Sequence, residues 1–232
     1  MTPQAAAGFI HEHGGLGFKL DAVAVGTKVT RTLTAENNIQ TEIQDMPQYF
    51  RGANAGKDRA ISVGRNVLGL HAMRDAQGYW CGFKVLLGES LELLARYYET
   101  FHPAGLKSVG LHYRDFVQLP SGHKPGDLAP FLAIRPEFPS QLKPRGGTFL
   151  WLSFDSPGDA AADLQMRSTA LPSATGSAVT RQGLLLDWRH ASAKMSKDSA
   201  GEYLSGAHRR HLGFFRLAFT EEGWNLFEPL EL

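Results

Sequence analysis

KSVGLHYRDFVQL (residues 107–119) is the stretch from which the fold is best read. Val109, Leu111, Tyr113, Val117 and Leu119 share one parity. Strand side chains alternate with period two, so these residues line one face of a long strand. Just upstream the period changes to that of a helix. Phe83, Leu87, Leu91, Leu94, Tyr98 and Phe101 recur at three- and four-residue intervals, with Leu86, Leu93 and Tyr97 beside them. That stripe predicts an amphipathic helix over 79–101. Lys84, Glu89, Glu92, Arg96 and Glu99 lie on its wet side, Glu92 and Arg96 pair at i,i+4, and Pro103 stops it.

Towards the N-terminus, residues 61–63 and 67–72 are short apolar strands around Gly64-Arg-Asn66, a hairpin turn. Residues 51–58 are small or turn-forming and predict a loop, whereas 22–34 and 39–43 have strand character. Towards the C-terminus, 125–132 suggests a short helix and the proline-spaced run 136–147 a loop. TFLWLSF (148–154) is apolar on both parities, which predicts a central strand buried on both sides. Residues 162–170 alternate with Leu164 and Met166 inward, 171–180 make a flexible hairpin loop, and Leu184, Leu186 and Trp188 line the next strand. Ser199-Ala-Gly-Glu202 is a capping box opening a second amphipathic helix, 200–218, with Tyr203, Leu204, Ala207, Phe214, Phe215 and Ala218 on one face. Thr220-Glu-Glu222 caps a last helix running to 227. The expected fold is α+β, an antiparallel sheet packed against two long amphipathic helices. Residues 59–232 would form the core domain and 1–58 its N-terminal strands and loop, as one domain overall.

Composition narrows the function classes. The 232 residues carry 24 Lys+Arg against 23 Asp+Glu, a net +1, so any nucleic-acid contact has to come from a local patch. With 43% hydrophobic residues and 14 Phe, the chain can build a packed core and is not disordered by default. A single cysteine excludes a disulfide framework and a Cys-rich zinc module. The N-terminus has no signal-peptide pattern, and no apolar run approaches the roughly 18 residues of a membrane span. The expectation is a cytoplasmic protein with no membrane contact and no cofactor.

Several side chains are candidates for chemistry. Asp115 falls on the apolar face of its strand, where a carboxylate is either paired or raised in pKa, as a catalytic acid would be. His112 and Arg114 lie on the opposite face, an anion-binding pair or an ordinary exposed surface. His208-Arg-Arg-His211 is the densest positive cluster, with His211 near the middle of the helix's apolar face, His208 at its edge, and Arg209 outward with Arg216. Two histidines at i,i+3 lack the third and fourth ligands zinc needs, so core histidines are the simpler reading. His11-Glu-His13 would set two histidines on one side of a strand. Gly14-Gly-Leu-Gly17 has neither a secure preceding strand nor a Lys-Ser/Thr and is no phosphate loop, and Gly17-Phe-Lys is only a fragment of an aromatic RNA-binding strand. Cys81 is placed in the first turn of the long helix, where it is expected to be a core residue. Asp187 and Arg189 read as a surface pair worth under about 1 kcal/mol. There is no Gly-x-Ser-x-Gly, no His-Glu-x-x-His and no Glu-x-Lys, which argues against serine hydrolases, zincins and the usual nuclease cores.

Taken together, Ile61-Ser-Val-Gly-Arg-Asn-Val-Leu-Gly-Leu70, Gly110-Leu-His-Tyr-Arg-Asp115, Leu119-Pro120, Leu185-Leu-Asp187, His208 to Phe215 and Phe219-Thr-Glu-Glu222 resemble a sporadically distributed bacterial family. Its members are uncharacterised, single-domain hypothetical proteins. The likeness spans about residues 60–228, and where that family usually carries Tyr-x-Asn this chain has Tyr113-Arg-Asp115. The resemblance implies no activity, and its scattered occurrence implies mobile or defence-associated genes.

Three functions follow as expectations. The first is a non-enzymatic binding or accessory subunit that meets a protein partner in a larger bacterial, defence-associated complex. The second is a nucleic-acid-binding component using His112, Arg114, Arg189, Arg209, Arg210 and Arg216 as one basic patch. The third is a metal-independent RNase or other hydrolase pairing His208 or His211 with Asp115, which requires those groups to converge.

Overall fold

The computed structural model describes residues 2–13, 19–24, 27–33, 39–45, 49–64, 66–74, 80–120, 128, 130–134, 149–172 and 180–225. The expectations for Gly14 to Gly17, for the loops 136–147 and 173–179, and for helix end 226–227 lie outside them. The chain divides into two compact units, Met1–Ala104 and Gly105–Leu232. The fold is α+β, with antiparallel sheets and helices in each unit.

In the first unit a helix α1 (Pro3–His13) precedes strands β1 (Lys19–Ala24), β2 (Thr27–Leu33), β3 (Ile39–Asp45), β4 (Tyr49–Ala53), β5 (Arg59–Gly64) and β6 (Val67–Ala72), and helix α2 (Phe83–Phe101) follows. The four-stranded sheet has order β1-β4-β5-β6, and β2 pairs with β3 alone. Strands β1 and β4 from the N-terminal stretch thus complete a sheet with β5 and β6, and the turn expected at 51–58 begins only after Ala53. His11 and Glu12 lie on a helix, not a strand, because Ala6, Phe9 and Ile10 give this segment an apolar helical stripe that the core takes up. Gly64 pairs with Val67 across the predicted hairpin turn.

Within α2 the buried side is that of Leu93 and Tyr97, rotated from the predicted centre of the stripe. The tertiary partners explain the rotation. Tyr97 donates its hydroxyl to the Gly64 carbonyl at 2.8 Å and packs with Phe9 and Phe101. Glu89, placed on the wet side by periodicity, accepts from the buried Arg59 at 3.1 Å. Glu92 and Arg96 form the expected exposed pair. Gly82, at φ 81°, precedes the helix, so Cys81 lies before the first turn, half-buried, and burial pushes its thiol pKa up.

The second unit is a four-stranded antiparallel sheet of order β7-β10-β9-β8, built from β7 (Gly110–Gln118), β8 (Phe149–Ser153), β9 (Ala161–Pro172) and β10 (Thr180–Ala191). Helices α3 (Ala200–Ala218) and α4 (Glu221–Trp224) follow. The core is formed by Val117, Leu164, Met166, Leu184, Leu186 and Trp188, with Phe214 and Phe215 of α3 packed against it. Thus the 19-residue helices α2 and α3 belong to different units, and the expectation of one sheet held by both is replaced by separate sheets.

Two local expectations change as well. Ser199 precedes α3 in a helical conformation without capping it, and its hydroxyl meets Ser196 at 3.0 Å instead. Thr220 does cap α4, accepting from the Gly223 amide at 3.0 Å. The chain at 130–134 bridges this corner, with Leu132 paired to Phe219. A Cβ at Gly223 would lie 1.9 Å from the Phe131 carbonyl oxygen. Backbone cannot give way there as a side-chain tip can, so Gly223→Ala is expected to cost about 1–3 kcal/mol. Urea denaturation checks this, and an unchanged midpoint would refute the tight contact.

Candidate functional site

TFLWLSF is the segment where the structure departs most from expectation. Instead of a central strand it supplies β8, an edge of the sheet, with Phe149 65% and Trp151 61% exposed. Leu150 and Leu152 face inward, opposite Met166 and Leu164. The alternate parity is open to water.

Register places the rest of that open face. One row across the sheet runs Trp151, Gln165, Asp187, Arg114; a second runs Phe149, Arg167, Leu185, Phe116; a third runs Ser153, Asp163, Arg189, His112. Asp187 is the fixed point. It is only 7% exposed and accepts from Arg114 Nη2 at 2.8 Å and Nε at 3.2 Å, from Arg189 Nε at 3.2 Å, and from His112 Nε2. Burial raises its carboxyl pKa, but the hydrogen bond from Arg114 and the charge of His112 outweigh that and hold it below the ordinary value. The surface pair expected for Asp187 and Arg189 is therefore a four-residue cluster. Phe116 completes the face by lying on Gly183, where a Cβ would stand 2.5 Å from its ring.

The other face lies under α3 and holds the catalytic candidates. Tyr113 hydrogen-bonds His208 Nδ1 at 2.7 Å and stacks on His211, ring centroids 3.9 Å apart and 7° from parallel. Asp115 lies on the same strand face and its charge, after burial, raises the Tyr113 pKa. Thus His208, His211 and Asp115 do gather around Tyr113, but in a packed setting. His211 is 4% exposed, and burial, followed by the neighbouring His190 and His208, pushes its pKa down to about 3. Burial also lowers that of His208. His211 packs between Tyr113, Trp188 and Phe215.

The six-residue basic patch does not assemble. His112, Arg114 and Arg189 meet on Asp187 at the open face. Arg210 turns the other way to Asp159, at 2.7 Å and 3.2 Å, and is partly buried. Its guanidinium lies against Gly158 and Gly206, 3.6 Å and 3.0 Å from where their Cβ atoms would be. Gly158 also needs φ 86°, so glycine serves the turn and the guanidinium together. Arg209 and Arg216 remain exposed on the outer side of α3, Arg216 at 6.0 Å from the Trp224 ring centroid.

Sequence reasoning missed Asp159, which accepts from His190 (2.9 Å), Tyr203 (2.7 Å), Ser156 (2.5 Å) and Arg210, and it missed the exposed pair Phe149 and Trp151. Among the described residues, no group of three His, Cys, Asp or Glu is placed to hold a metal ion, and no helix is long and apolar enough to cross a membrane. The fold and site define an α+β protein with an open, aromatic and basic sheet face. No protein-family model, curated protein or solved structure matches the chain.

Proposed function

We propose that the chain acts as a non-catalytic binding subunit of a larger assembly, and that it binds through the outer face of the β8-β9-β10-β7 sheet. The observation that carries this reading is the exposure of Phe149 and Trp151 side by side on one strand. Burying a large aromatic ring is worth several times the thermal energy, and exposed clusters of such rings mark interaction sites. The guanidiniums of Arg114 and Arg189 and the His112 ring, clustered on Asp187, give the same face polar specificity. The burial of His211 supports the choice of binding over acid–base catalysis. The bacterial, defence-associated setting is part of the proposal and is supported by the family resemblance over residues 60–228.

The test is a paired pull-down from the native host with the wild type and a Phe149→Ser/Trp151→Ser variant. A stoichiometric component present with the first and lost with the second is expected, at unchanged circular dichroism. A hydrolytic turnover abolished by His208→Ala would overturn the non-catalytic reading.

A further inference from the structure

We infer that the occupant of this face is single-stranded nucleic acid. The inference deepens the binding reading above and rests on it. The argument starts from spacing. Phe149 and Trp151 are two residues apart on one strand and project to the same side, about 7 Å apart at the usual strand rise. That separation suits two bases splayed from a single strand, each offered an aromatic surface. A duplex hides those base faces in its own stack and would gain nothing from them.

The charges lie where the backbone of such a strand would run. Arg167 is the direct cross-strand neighbour of Phe149, and Arg189 lies on β10 in the Ser153 row, on the far side of the Trp151 row. Arg114 ends the Trp151 row, about 14 Å from β8 at the usual strand spacing. Asp163 and Asp187 also lie on this face, so among the described side chains three guanidiniums stand against two carboxylates. Asp187 directs two of the three, since Arg114 and Arg189 both donate to it. Guanidiniums held in place lose less freedom when a phosphate arrives. Rings that can stack and guanidiniums that can pair with phosphate share this one face, and a single strand with splayed bases engages both at once.

The experiment is fluorescence-anisotropy titration of the full chain with labelled 12-nucleotide oligouridylate and oligodeoxythymidylate, and with a duplex of the same length. Binding of the single strands in preference to the duplex is expected. Trp151→Ala should weaken it about tenfold or more, with a smaller loss for Phe149→Ala. Arg167→Ala removes one contact and should make the salt dependence shallower. With two or three phosphates held, the slope of log K against log salt is expected between about −1.4 and −2.1. Both ring variants change exposed side chains, and circular dichroism confirms that they fold.

Absent binding to either oligonucleotide, equal preference for the duplex, or affinity untouched by Trp151→Ala would overturn the inference. Two further measurements separate its failure from that of the binding face itself. If sedimentation shows self-association through β8, or the paired pull-down yields a protein component, and Trp151→Ala abolishes it, the face binds protein and only the nucleic-acid assignment falls. If Trp151→Ala changes neither these nor oligonucleotide binding, the face reading falls too.

Discussion

Asp159→Ala is expected to remove about 3 kcal/mol from the stability of the second unit, the largest loss we predict for one side chain. The Asp159 side chain is 1% exposed and accepts hydrogen bonds from four residues, with two bonds from Arg210. Burial alone would raise its pKa, yet the bonds from Arg210, Ser156, His190 and Tyr203 together hold it well below the usual carboxylate range. Removing one partner of a buried charge pair costs about 3–5 kcal/mol, because the other is left uncompensated. The lower end applies here. The Arg210 side chain retains 22% exposure and can swing to water, whereas His190, at 0%, cannot. Asp159→Asn should also lose stability, since an amide cannot accept from all four donors. Chemical denaturation measures both variants, and a loss under about 1 kcal/mol for Asp159→Ala would show that the network is not a stability centre.

Acid should destabilise the second unit well before the carboxylates titrate. His211 has a folded pKa of about 3 against an ordinary 6.5. Between those values the unfolded chain binds a proton that the folded chain refuses, so stability is present above about pH 6.5 and declines as pH falls. The expected slope is about 1.4 kcal/mol per pH unit for this one group. His208, lowered by burial, acts in the same direction. The titratable groups packed against His211 are Tyr113, His190 and His208. Tyr113 stays protonated throughout, its pKa raised by burial and by Asp115. Asp187 and Asp159 are depressed, so their contribution is present above about pH 4 and is lost only below it. Denaturation midpoints between pH 7 and pH 4.5 should fall for the wild type and fall less for His211→Leu. Parallel profiles would mean that His211 does not carry the effect.

How much of this was legible beforehand differs by element. The inward face of the strand containing Tyr113 is legible in the sequence, because alternation along one strand is a local property. The Gly64 hairpin, the Glu92–Arg96 pair and the Thr220 cap are equally local, involving residues at most four apart. The α2 stripe was legible as a helix but not in its rotation, because Glu89 and Tyr97 are claimed by Arg59 and Gly64, about thirty residues away. The His11 region shows the limit at short range, since an apolar stripe of three residues fits strand and helix alike.

The candidate site was legible only in part. His112, Arg114 and Arg189 were singled out individually, but their meeting on Asp187 depends on the β7–β10 register. Arg210 could not be separated from Arg209 by sequence, because the distinction lies in the glycine-lined approach to Asp159. For Phe149 and Trp151 the local pattern points to the interior, because apolar residues on both parities ordinarily mean cover on both faces.

By itself, then, the sequence determined the α+β class, the helical and strand periods and the Thr220 cap, since each depends on side chains a few bonds or one turn apart. Only the tertiary structure decided the division into two units, the conversion of an apolar strand into an edge, and the gathering of two arginines and a histidine on one carboxylate. Those outcomes depend on which strands pair and in what register, and pairing energy is settled between residues tens of positions apart, where local pattern carries no information.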